Sequence, residues 1–256
     1  MQQAIGGSYQ IREEDVIFLD NHLLVVNKPA GILVQPDKDG SDSVEDAAKI
    51  WLKQKFDKPG NVFATVCHRL DRPVSGLVVI ARTSKALARM NTIFQGREIK
   101  KVYLAVVEGR PEPWKWLRHW IKKNETTNKV WTYTYPRGDA KQADLCYWHL
   151  QGEKEKSMVL VRLFTGRHHQ IRAQLGLEKL PILGDLKYGK KSPIDPTVCL
   201  CSYAMEFAHP VSGETLRIVG AIPEWGSWRG FSAPDTQAME TAFQINEGAA
   251  PAQTRK

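Results

Sequence analysis

Asp71 lies between two arginines in the segment HRLDRPVSGLVVIART, residues 68–83. Because Arg69 and Arg72 place positive charge on both sides of the carboxylate, its ionised form is favoured at neutral pH. An ionised carboxylate can act as a metal ligand, a general base or a nucleophile. A metal site needs several ligands close together, and this segment adds only His68. The local chemistry is equally compatible with a structural role, in which Asp71 caps a turn or bridges the arginines.

A second group of reactive side chains lies in TGRHHQIRAQLGLEKLPILGDLKYG, residues 165–189. A strand is expected to end here and a helix to begin, so that backbone N–H groups and Arg167 could bind an anion. The adjacent His168 and His169 point in different directions on a helix, which argues against a shared metal ion. GDLKYG lacks the Lys-Ser/Thr of a phosphate-binding loop, and Ser75 lies outside any Gly-x-Ser-x-Gly elbow. Nucleotide hydrolysis and serine-esterase chemistry are therefore excluded.

Tyr103 lies on the alternating segment KKVYLAVVE, residues 100–108, which predicts a β-strand. A tyrosine in this setting is usually half-buried core with its hydroxyl group satisfied. The functional alternative is that the ring stacks on a base or that the hydroxyl group handles a proton. Both interpretations stay open on the residues alone.

The positive charge of the chain is concentrated in one part of the sequence. Of 256 residues, 36 are Lys or Arg and 28 are Asp or Glu, which gives a formal net charge of +8. Residues 82–141 hold fourteen of the basic residues and five of the acidic ones. A local surplus of this kind favours a polyanionic partner, because phosphate contacts release counterions. The alternative is a solvated basic surface without a partner.

The composition indicates a globular protein of the cytoplasm. An apolar fraction of 42% and a charged fraction of 25% allow a sizeable core, and the longest apolar runs are too short to cross a bilayer. The first fifteen residues lack the pattern of a signal peptide. The four cysteines show no zinc-binding spacing, so we expect reduced, partly buried thiols. Metal binding by the Cys-x-Cys pair at 199–201 is the less favoured interpretation.

The order of the predicted elements indicates an α+β fold with a mixed, largely antiparallel sheet and flanking helices. Helices are predicted after Ser43, where Asp46 completes a capping box, from Ser84, and over 168–176. Strands are predicted in a hairpin over 16–36 and at 76–82, 100–108, 142–149, 157–165, 198–207 and 215–221. We expect an N-terminal extension over 1–13, one domain over 14–231, and a disordered tail over 232–256 that is rich in small and polar residues.

Residues 68–83 resemble the catalytic motif of the RluA-type pseudouridine synthases. Further segments resemble this family in the same order along the chain, so that the resemblance covers residues 14–225. These segments are VVNKPAGILVQP, KKVYLAVVEG, the TGRHHQIRAQL stretch with its following Gly-Asp, and AMEFAHPVSGE. Each alone could arise by chance, but the ordered set is specific. The chain departs from the family at Val74, His168 and Cys201, which bears on substrate choice rather than on chemistry.

The resemblance implies an enzyme that converts uridine in RNA to pseudouridine without a cofactor or metal ion, on a fold whose helices and loops flank an RNA-binding cleft. Asp71 is implied as the nucleophile or base acting at the ribose, and Arg172 as its ion-pair partner. Tyr103 is implied to stack on the uracil and to accept or relay the C5 proton. Arg69 is implied to enter the base stack or to hold the flipped nucleotide, because an enzyme that acts on one base must extrude it. Asp71 is therefore interpreted as a reagent.

RNA contacts are expected from two groups of residues. Near the motifs they are Arg69, Arg72, Lys28, Arg167 and His169. Residues 111–136 hold four of the eight tryptophans, interleaved with basic residues, and correspond to an insertion with which the family grips RNA. Here Trp114, Trp116, Lys122, Lys123 and Lys129 are expected to line a gripping loop, whereas Trp120 and Trp131 are expected in the core. Stacking on an exposed base contributes on the order of 1–3 kcal/mol.

An RNA pseudouridine synthase is the leading interpretation, with ribosomal RNA or tRNA as the expected substrate. The alternative is a catalytically inactive RNA-binding protein of the same fold, which the presence of Asp71, Tyr103 and Arg172 disfavours. A scaffold protein without a role on RNA is disfavoured by the basic surplus and the set of motifs. We expect no N-terminal S4-type RNA-binding domain, and a monomer that works in the cytoplasm without membrane contact.

Overall fold

The computed structural model of the protein describes residues 9–152 and 155–246. The α-helices in these ranges are α1 (Val44–Lys55), α2 (Ser84–Gln95), α3 (Gln170–Leu177) and α4 (Thr236–Gln244). The strands are β1 (Val16–Leu19), β2 (Leu23–Lys28), β3 (Thr65–Val66), β4 (Ser75–Ala81), β5 (Lys100–Glu108), β6 (Trp114–Asn124), β7 (Lys129–Tyr133), β8 (Lys141–Gly152), β9 (Lys156–Leu163), β10 (Leu200–Ala208) and β11 (Thr215–Val219). None of these four helices is long and apolar enough to cross a membrane.

The described chain divides into two compact units. The first unit comprises residues 9–99 and 201–223, and the second comprises 100–152, 155–200 and 224–246. The chain leaves the first unit just before β5 and returns to it at the start of β10. The prediction of one domain over 14–231 spans both units and stays a prediction.

A mixed sheet with a helix on each face forms the first unit. Its strands follow the order β1-β2-β4-β10, with β11 beside β10 and β3 beside β4. The β4–β10 pair is parallel and the other pairs are antiparallel. Leu24 and Val26 of β2 pack with α1, whereas Leu23 and Val25 on the opposite face pack with α2. Because both faces are covered, β4 is buried along its whole length.

Gly76 allows β4 and β10 to approach each other just after the loop that carries Asp71. Its φ of +108° lies in the region that residues with a side chain disfavour. A Cβ atom at this position would lie 2.3 Å from the carbonyl oxygen of Ser202 on β10. Any other residue at position 76 would therefore push the two strands apart.

The second unit is built on an antiparallel sheet with the strand order β5-β9-β8-β6-β7. β6 pairs with β8 as far as Ile121, and beyond that residue its ladder is with β7. Ala173 of α3 packs against Ile121 on one face of this sheet. On the other face, Trp116 and Ile245, which follows α4, pack in one cluster. The helices thus cover opposite faces of the sheet.

The α+β class is confirmed, and the predicted helices and strands appear close to their expected positions. Ser43 caps α1 as expected: its hydroxyl oxygen accepts from the backbone N–H of Asp46 (3.1 Å) and its O–H donates to the Asp46 carboxylate (2.7 Å). Residues 111–136 differ from expectation, since they form the strands β6 and β7 rather than a loop.

The C-terminal segment also differs from expectation, because residues 236–244 form α4 where the sequence predicted disorder. Asp235 caps this helix by accepting from the backbone N–H of Ala238 (2.7 Å). Ala242 and Phe243 are buried, so two apolar residues supply the packing that the small, polar composition concealed. The predicted extension up to residue 8 and the predicted tail from residue 247 lie outside the described residues.

All four cysteines, Cys67, Cys146, Cys199 and Cys201, are free and buried. They were predicted to be reduced and partly buried; they are unpaired, as expected, and more deeply buried than expected. Burial raises the pKa of the Cys67 thiol to about 12, because it disfavours the charged thiolate. The same cause raises the pKa of Cys201 to about 12.

Candidate active site

Asp71 lies in the loop that leads into β4, in the first unit. Hydrogen bonds hold this loop at both ends: Nε2 of His68 accepts from the backbone N–H of Val79 (3.0 Å), and the carbonyl oxygen of Asp71 accepts from Val74 N–H (3.0 Å). Asp71 is half-buried, while Arg69 is exposed. The buried strand β4 thus fixes the backbone on which the carboxylate stands.

Lys28 is fully buried and fastens this loop to the segment after β2. Its ammonium group donates to the carbonyl oxygens of Pro29 (2.9 Å), Ile32 (2.8 Å) and Arg72 (3.2 Å). Burial lowers the pKa of Lys28 to about 7, and the negative charge of Asp71 opposes that shift. The predicted RNA contact of Lys28 is wrong, because protein atoms enclose its amine.

Arg72 joins the same two segments from the surface. Its Nε donates to the carbonyl oxygen of Gly31 (2.9 Å), and its own carbonyl oxygen accepts from Gly31 N–H (2.8 Å). Gly31 has a φ of +93°, a value that suits glycine at this turn. Because the Arg72 side chain is exposed, its contact with RNA stays a prediction, as does that of Arg69.

Arg172 and Asp185 form a buried ion pair in the second unit. Nε and Nη2 of Arg172 donate to the two carboxylate oxygens of Asp185 at 2.7 and 2.8 Å, and the side chains are 4% and 0% exposed. Burial acts to raise the pKa of Asp185, but the hydrogen bond and charge of Arg172 outweigh it, so that the pKa is lowered. The predicted pairing of Arg172 with Asp71 joins residues of different units and stays a prediction.

Tyr103 lies on β5, opposite Val161 of β9 in the strand register. Only 7% of its surface is exposed. This burial agrees with the core interpretation of the residue, and stacking of its ring on a uracil stays a prediction.

Gln170 fixes the chain where α3 begins. Its Oε1 accepts from the hydroxyl group of Thr165 (2.8 Å) and from the backbone N–H of Arg167 (2.9 Å). Arg167 is half-buried and donates from Nε to the carbonyl oxygen of Gln142 (3.0 Å). His169 is buried and has a left-handed φ of +52°. Arg167 is thus more exposed than His169. A direct contact with RNA stays a prediction for both residues.

The tryptophans of residues 111–136 are divided between the core and the surface of the β6–β7 hairpin. Trp116 is 9% exposed and stacks on Phe164 with ring centroids 4.5 Å apart, so its predicted place on a gripping surface is wrong. Trp131 was expected in the core and is instead 48% exposed on β7. Trp114 is exposed and Trp120 is buried, as expected.

The predicted lysines of the hairpin are partly or fully exposed. Lys122 lies opposite Trp131 in the strand register, so the two share a face. Lys129 lies two residues before Trp131 on β7 and therefore shares this face as well. Lys122 forms an ion pair with Asp139 at 2.6 Å, an exposed contact of a kind that contributes little to stability. Lys122, Lys129 and Trp131 thus form a basic and aromatic surface, called the hairpin face below.

Three residues that organise the second unit were given no role from the sequence, namely Asp185, Tyr188 and Asn128. Asp185 follows the apolar run PIL and a glycine, and an acid in such a place is a signal for a buried partner. Tyr188 lies under the guanidinium group of Arg172, 5.5 Å from its ring centroid. Asn128 has a left-handed φ of +49° and ends the turn between β6 and β7. Their partners are distant in sequence and could not be identified without the fold.

A sequence profile of the family described as RNA pseudouridylate synthase matches residues 22–176. This range is more than half of the chain, and it includes Asp71, Tyr103 and Arg172. It takes in segments of both units.

Similar proteins extend the match beyond that range. The chain is 33% identical over 180 residues to an uncharacterized RNA pseudouridine synthase of Mycoplasma genitalium, which covers 68% of this chain and 55% of that protein. It is 31% identical over 224 residues to the ribosomal large subunit pseudouridine synthase D of Xanthomonas campestris, covering 82% and 66%. The chain thus spans less than two thirds of the length of both relatives. A solved structure, human RNA pseudouridylate synthase domain containing 1, shares the fold with a TM-score of 0.70 at 21% identity, covering 90% of this chain and 95% of that one.

Proposed function

The chain belongs to the RNA pseudouridylate synthase family, and on this basis we propose that it isomerises uridine to pseudouridine in ribosomal RNA or tRNA. In this reaction the bond between C1′ of the ribose and N1 of uracil breaks, and a bond between C1′ and C5 forms. The C5 hydrogen leaves as a proton and N1 gains one, so that product and substrate are isomers. No oxidant, reductant or co-substrate is consumed.

In this proposal, Asp71 supplies the carboxylate that acts at the ribose, as nucleophile or base. The observation that carries it is the way in which the first unit holds this residue: a buried strand follows it, and the three hydrogen bonds of Lys28 fasten the adjoining backbone. A fixed backbone keeps a reacting group within reach of a bound substrate. Such positioning can lower the activation free energy of the reaction substantially.

Tyr103 is proposed to contact the uracil base, and Arg172 is proposed to stabilise the negative charge of the reacting group. The ring of Tyr103 would stack on the uracil, and its hydroxyl group would accept or relay the C5 proton. The bidentate contact with Asp185 holds the guanidinium plane of Arg172 in one orientation. A cation fixed in this way can stabilise an anionic reacting group without reorganising.

The hairpin face is proposed to bind RNA. Lys122 and Lys129 supply charge for phosphates, and Trp131 supplies a platform for an unpaired base. The target uridine must leave its stack to react, and Arg69 is proposed to enter the base stack or to hold the flipped nucleotide. Stacking on a single base requires an unpaired or flipped nucleotide in the RNA.

Tritium release from RNA labelled at C5 of uridine tests the reaction directly, because forming the C5 bond expels that atom. The substrates are bulk tRNA and protein-free ribosomal RNA from cells that lack this gene, and Asp71→Asn is the matched variant because it keeps the shape of the side chain. We expect the wild type to release tritium from one of the two pools and Asp71→Asn to release none from either. The active pool then identifies the substrate class.

Two other results would contradict the proposal. A wild-type protein that binds both RNA pools but releases no tritium would be an RNA-binding protein without this activity. Release that persists in Asp71→Asn would mean that another residue is the reacting group. RNA binding is measured on the same preparations by fluorescence anisotropy.

The enzyme is further proposed to act as a monomer in the cytoplasm. Four free, buried cysteines support a reducing compartment. Light scattering coupled to size-exclusion chromatography tests the oligomeric state, and a mass near 29.0 kDa is expected.

A further inference from the structure

Asn128 ties the tip of the β6–β7 hairpin to the beginning of α3. Nε2 of His168 lies 2.9 Å from Oδ1 of Asn128, and Nζ of Lys187 donates to the carbonyl oxygen of Asn128 at 2.8 Å. Asn128 has a left-handed φ of +49°. The ring of His168 stacks on that of His169 with centroids 3.7 Å apart, which limits its rotation.

Tyr188 ties the same hairpin at a second point. The backbone N–H of Val130 on β7 donates to the hydroxyl oxygen of Tyr188 at 2.8 Å. Nδ1 of His169 lies 2.9 Å from the same hydroxyl oxygen. The ring of Tyr188 packs against Ile121 and Val130 and lies beneath the Arg172 guanidinium.

These ties act on the part of the hairpin that needs them. Beyond Ile121 the β6 ladder is with β7, so the outer end of the hairpin is a two-stranded ribbon. A two-stranded ribbon is marginally stable in water, and ordering it when RNA binds would lower the affinity. The outer end nevertheless carries Lys122, Lys129 and Trp131, the residues of the hairpin face.

We infer that His168 and Tyr188, through its hydroxyl group, are positioning residues. They hold the hairpin face in a fixed position relative to Arg172 before RNA binds. The inference rests on the proposed function, since it assigns a purpose to the hairpin in binding RNA. It also accounts for His168 and Asn128 as a pair: the imidazole N–H donates to the carboxamide oxygen across the gap between α3 and the turn.

The variants Tyr188→Phe and Asn128→Gly separate the ties from the fold. Phenylalanine keeps the ring under Arg172 and removes only the hydroxyl group. Glycine keeps the left-handed conformation at position 128 and removes the carboxamide. Asn128→Asp is the matched control for hydrogen exchange, because it keeps the Oδ1 acceptor for His168. Its added negative charge next to Lys129 would weaken RNA binding by itself.

Amide hydrogen exchange of the protein without RNA and steady-state tritium release are measured on each variant. We expect faster exchange of residues 122–131 in Tyr188→Phe and Asn128→Gly. We also expect an increase in KM for RNA of about five- to tenfold, which corresponds to the loss of one or two hydrogen bonds. The kcat value should change by less than twofold, and the exchange of residues 122–131 in Asn128→Asp should match that of the wild type. A merely structural role would not produce this division between KM and kcat.

The inference is overturned if exchange in residues 122–131 is unchanged in both variants, or if exchange accelerates while KM stays at the wild-type value. A decrease in kcat with an unchanged KM would overturn it too, because that result assigns the ties to chemistry instead of binding. Failure of the proposed function is recognised separately, since the wild type itself would then release no tritium.

Discussion

At the scale of single residues, Lys28 couples the loop of Asp71 to pH. Its folded pKa of about 7 lies below the value of about 10.4 in an unfolded chain. Between these two values the unfolded chain binds more protons, so the free energy of unfolding rises with pH over this window. Below pH 7 both states are protonated and the contribution of Lys28 is constant.

The variant Lys28→Met lacks this titration. We expect the difference in unfolding free energy between the wild type and Lys28→Met to shift in favour of the wild type from pH 7 to pH 10, by up to about 1.4 kcal/mol per pH unit. Urea denaturation at several pH values measures it. Lys53→Met, on the exposed side of α1, is the control and should show no such shift. A constant difference for Lys28→Met would show that its amine is not held in a low-dielectric site.

The ion pair of Arg172 and Asp185 should lose its contribution to the free energy of unfolding at acid pH. Because the folded pKa of Asp185 is lowered, the pair contributes its full stability above the unfolded value of about 3.9 and loses it as pH falls through the folded pKa. Asp185→Asn should lower the unfolding free energy at pH 7 by about 3–5 kcal/mol, because it leaves Arg172 charged and buried. The deficit should shrink below pH 4.

The exposed pair of Lys122 and Asp139 provides a matched control for that variant. Asp139→Asn removes a contact of similar length at the surface, and it should leave the urea midpoint nearly unchanged. An Asp185→Asn protein as stable as this control would mean that solvent reaches the Arg172 site.

At the scale of elements, the two tryptophans Trp116 and Trp131 lie on strands of one hairpin and should respond to mutation in different ways. Trp131→Ala should weaken RNA binding by about 1–3 kcal/mol, because an exposed ring is available for stacking, and should leave stability nearly unchanged. Trp116→Ala should lower the unfolding free energy by about 3–5 kcal/mol, because it removes a buried ring. Anisotropy titrations and urea denaturation measure the two effects. Equal loss of RNA affinity in both folded variants would contradict the assignment.

The sequence predicted most elements correctly because their local signals agree with the fold. The N-cap serine of α1, Ser43, and the apolar run of β4 each specify one structure. The hairpin of residues 111–136 was missed because its apolar and basic residues are tryptophans and lysines, which suit either a strand or a binding loop. Burial of Trp116 depends on Phe164, far along the chain. That contact cannot be read from the tryptophan segment itself.

The candidate site was predictable where a motif is contiguous and was not predictable where a partner is remote. Asp71, Tyr103 and Arg172 were named from the segments that carry them. Asp185 was missed as the partner of Arg172, because thirteen residues and the end of a helix separate them. The burial of Lys28 was missed for the same reason, since one of its acceptors is the carbonyl oxygen of Arg72.

At the scale of the whole molecule, the net charge of +8 should make RNA binding depend strongly on salt. Each phosphate contact contributes about −0.7 to the slope of log K against log salt for a single strand. Replacing Lys122 and Lys129 together by glutamine should therefore reduce that slope by about 1 to 1.5 units. The double replacement of Lys53 and Lys58, exposed in the first unit, removes the same charge and should change the slope less. Equal changes would assign the effect to net charge rather than to the hairpin face.

Because all four cysteines are buried, the native thiols of the folded protein should react only slowly with maleimide dyes. Their high pKa values, about 12 for Cys67 and Cys201, leave almost no thiolate to react. The variant Thr127→Cys, at an exposed turn, would thus take a single fluorophore without removal of any native thiol. Emission from that fluorophore would follow the binding of RNA at the hairpin in real time. In the wild type, the rate at which the native thiols react with dye would measure the rate at which the core opens.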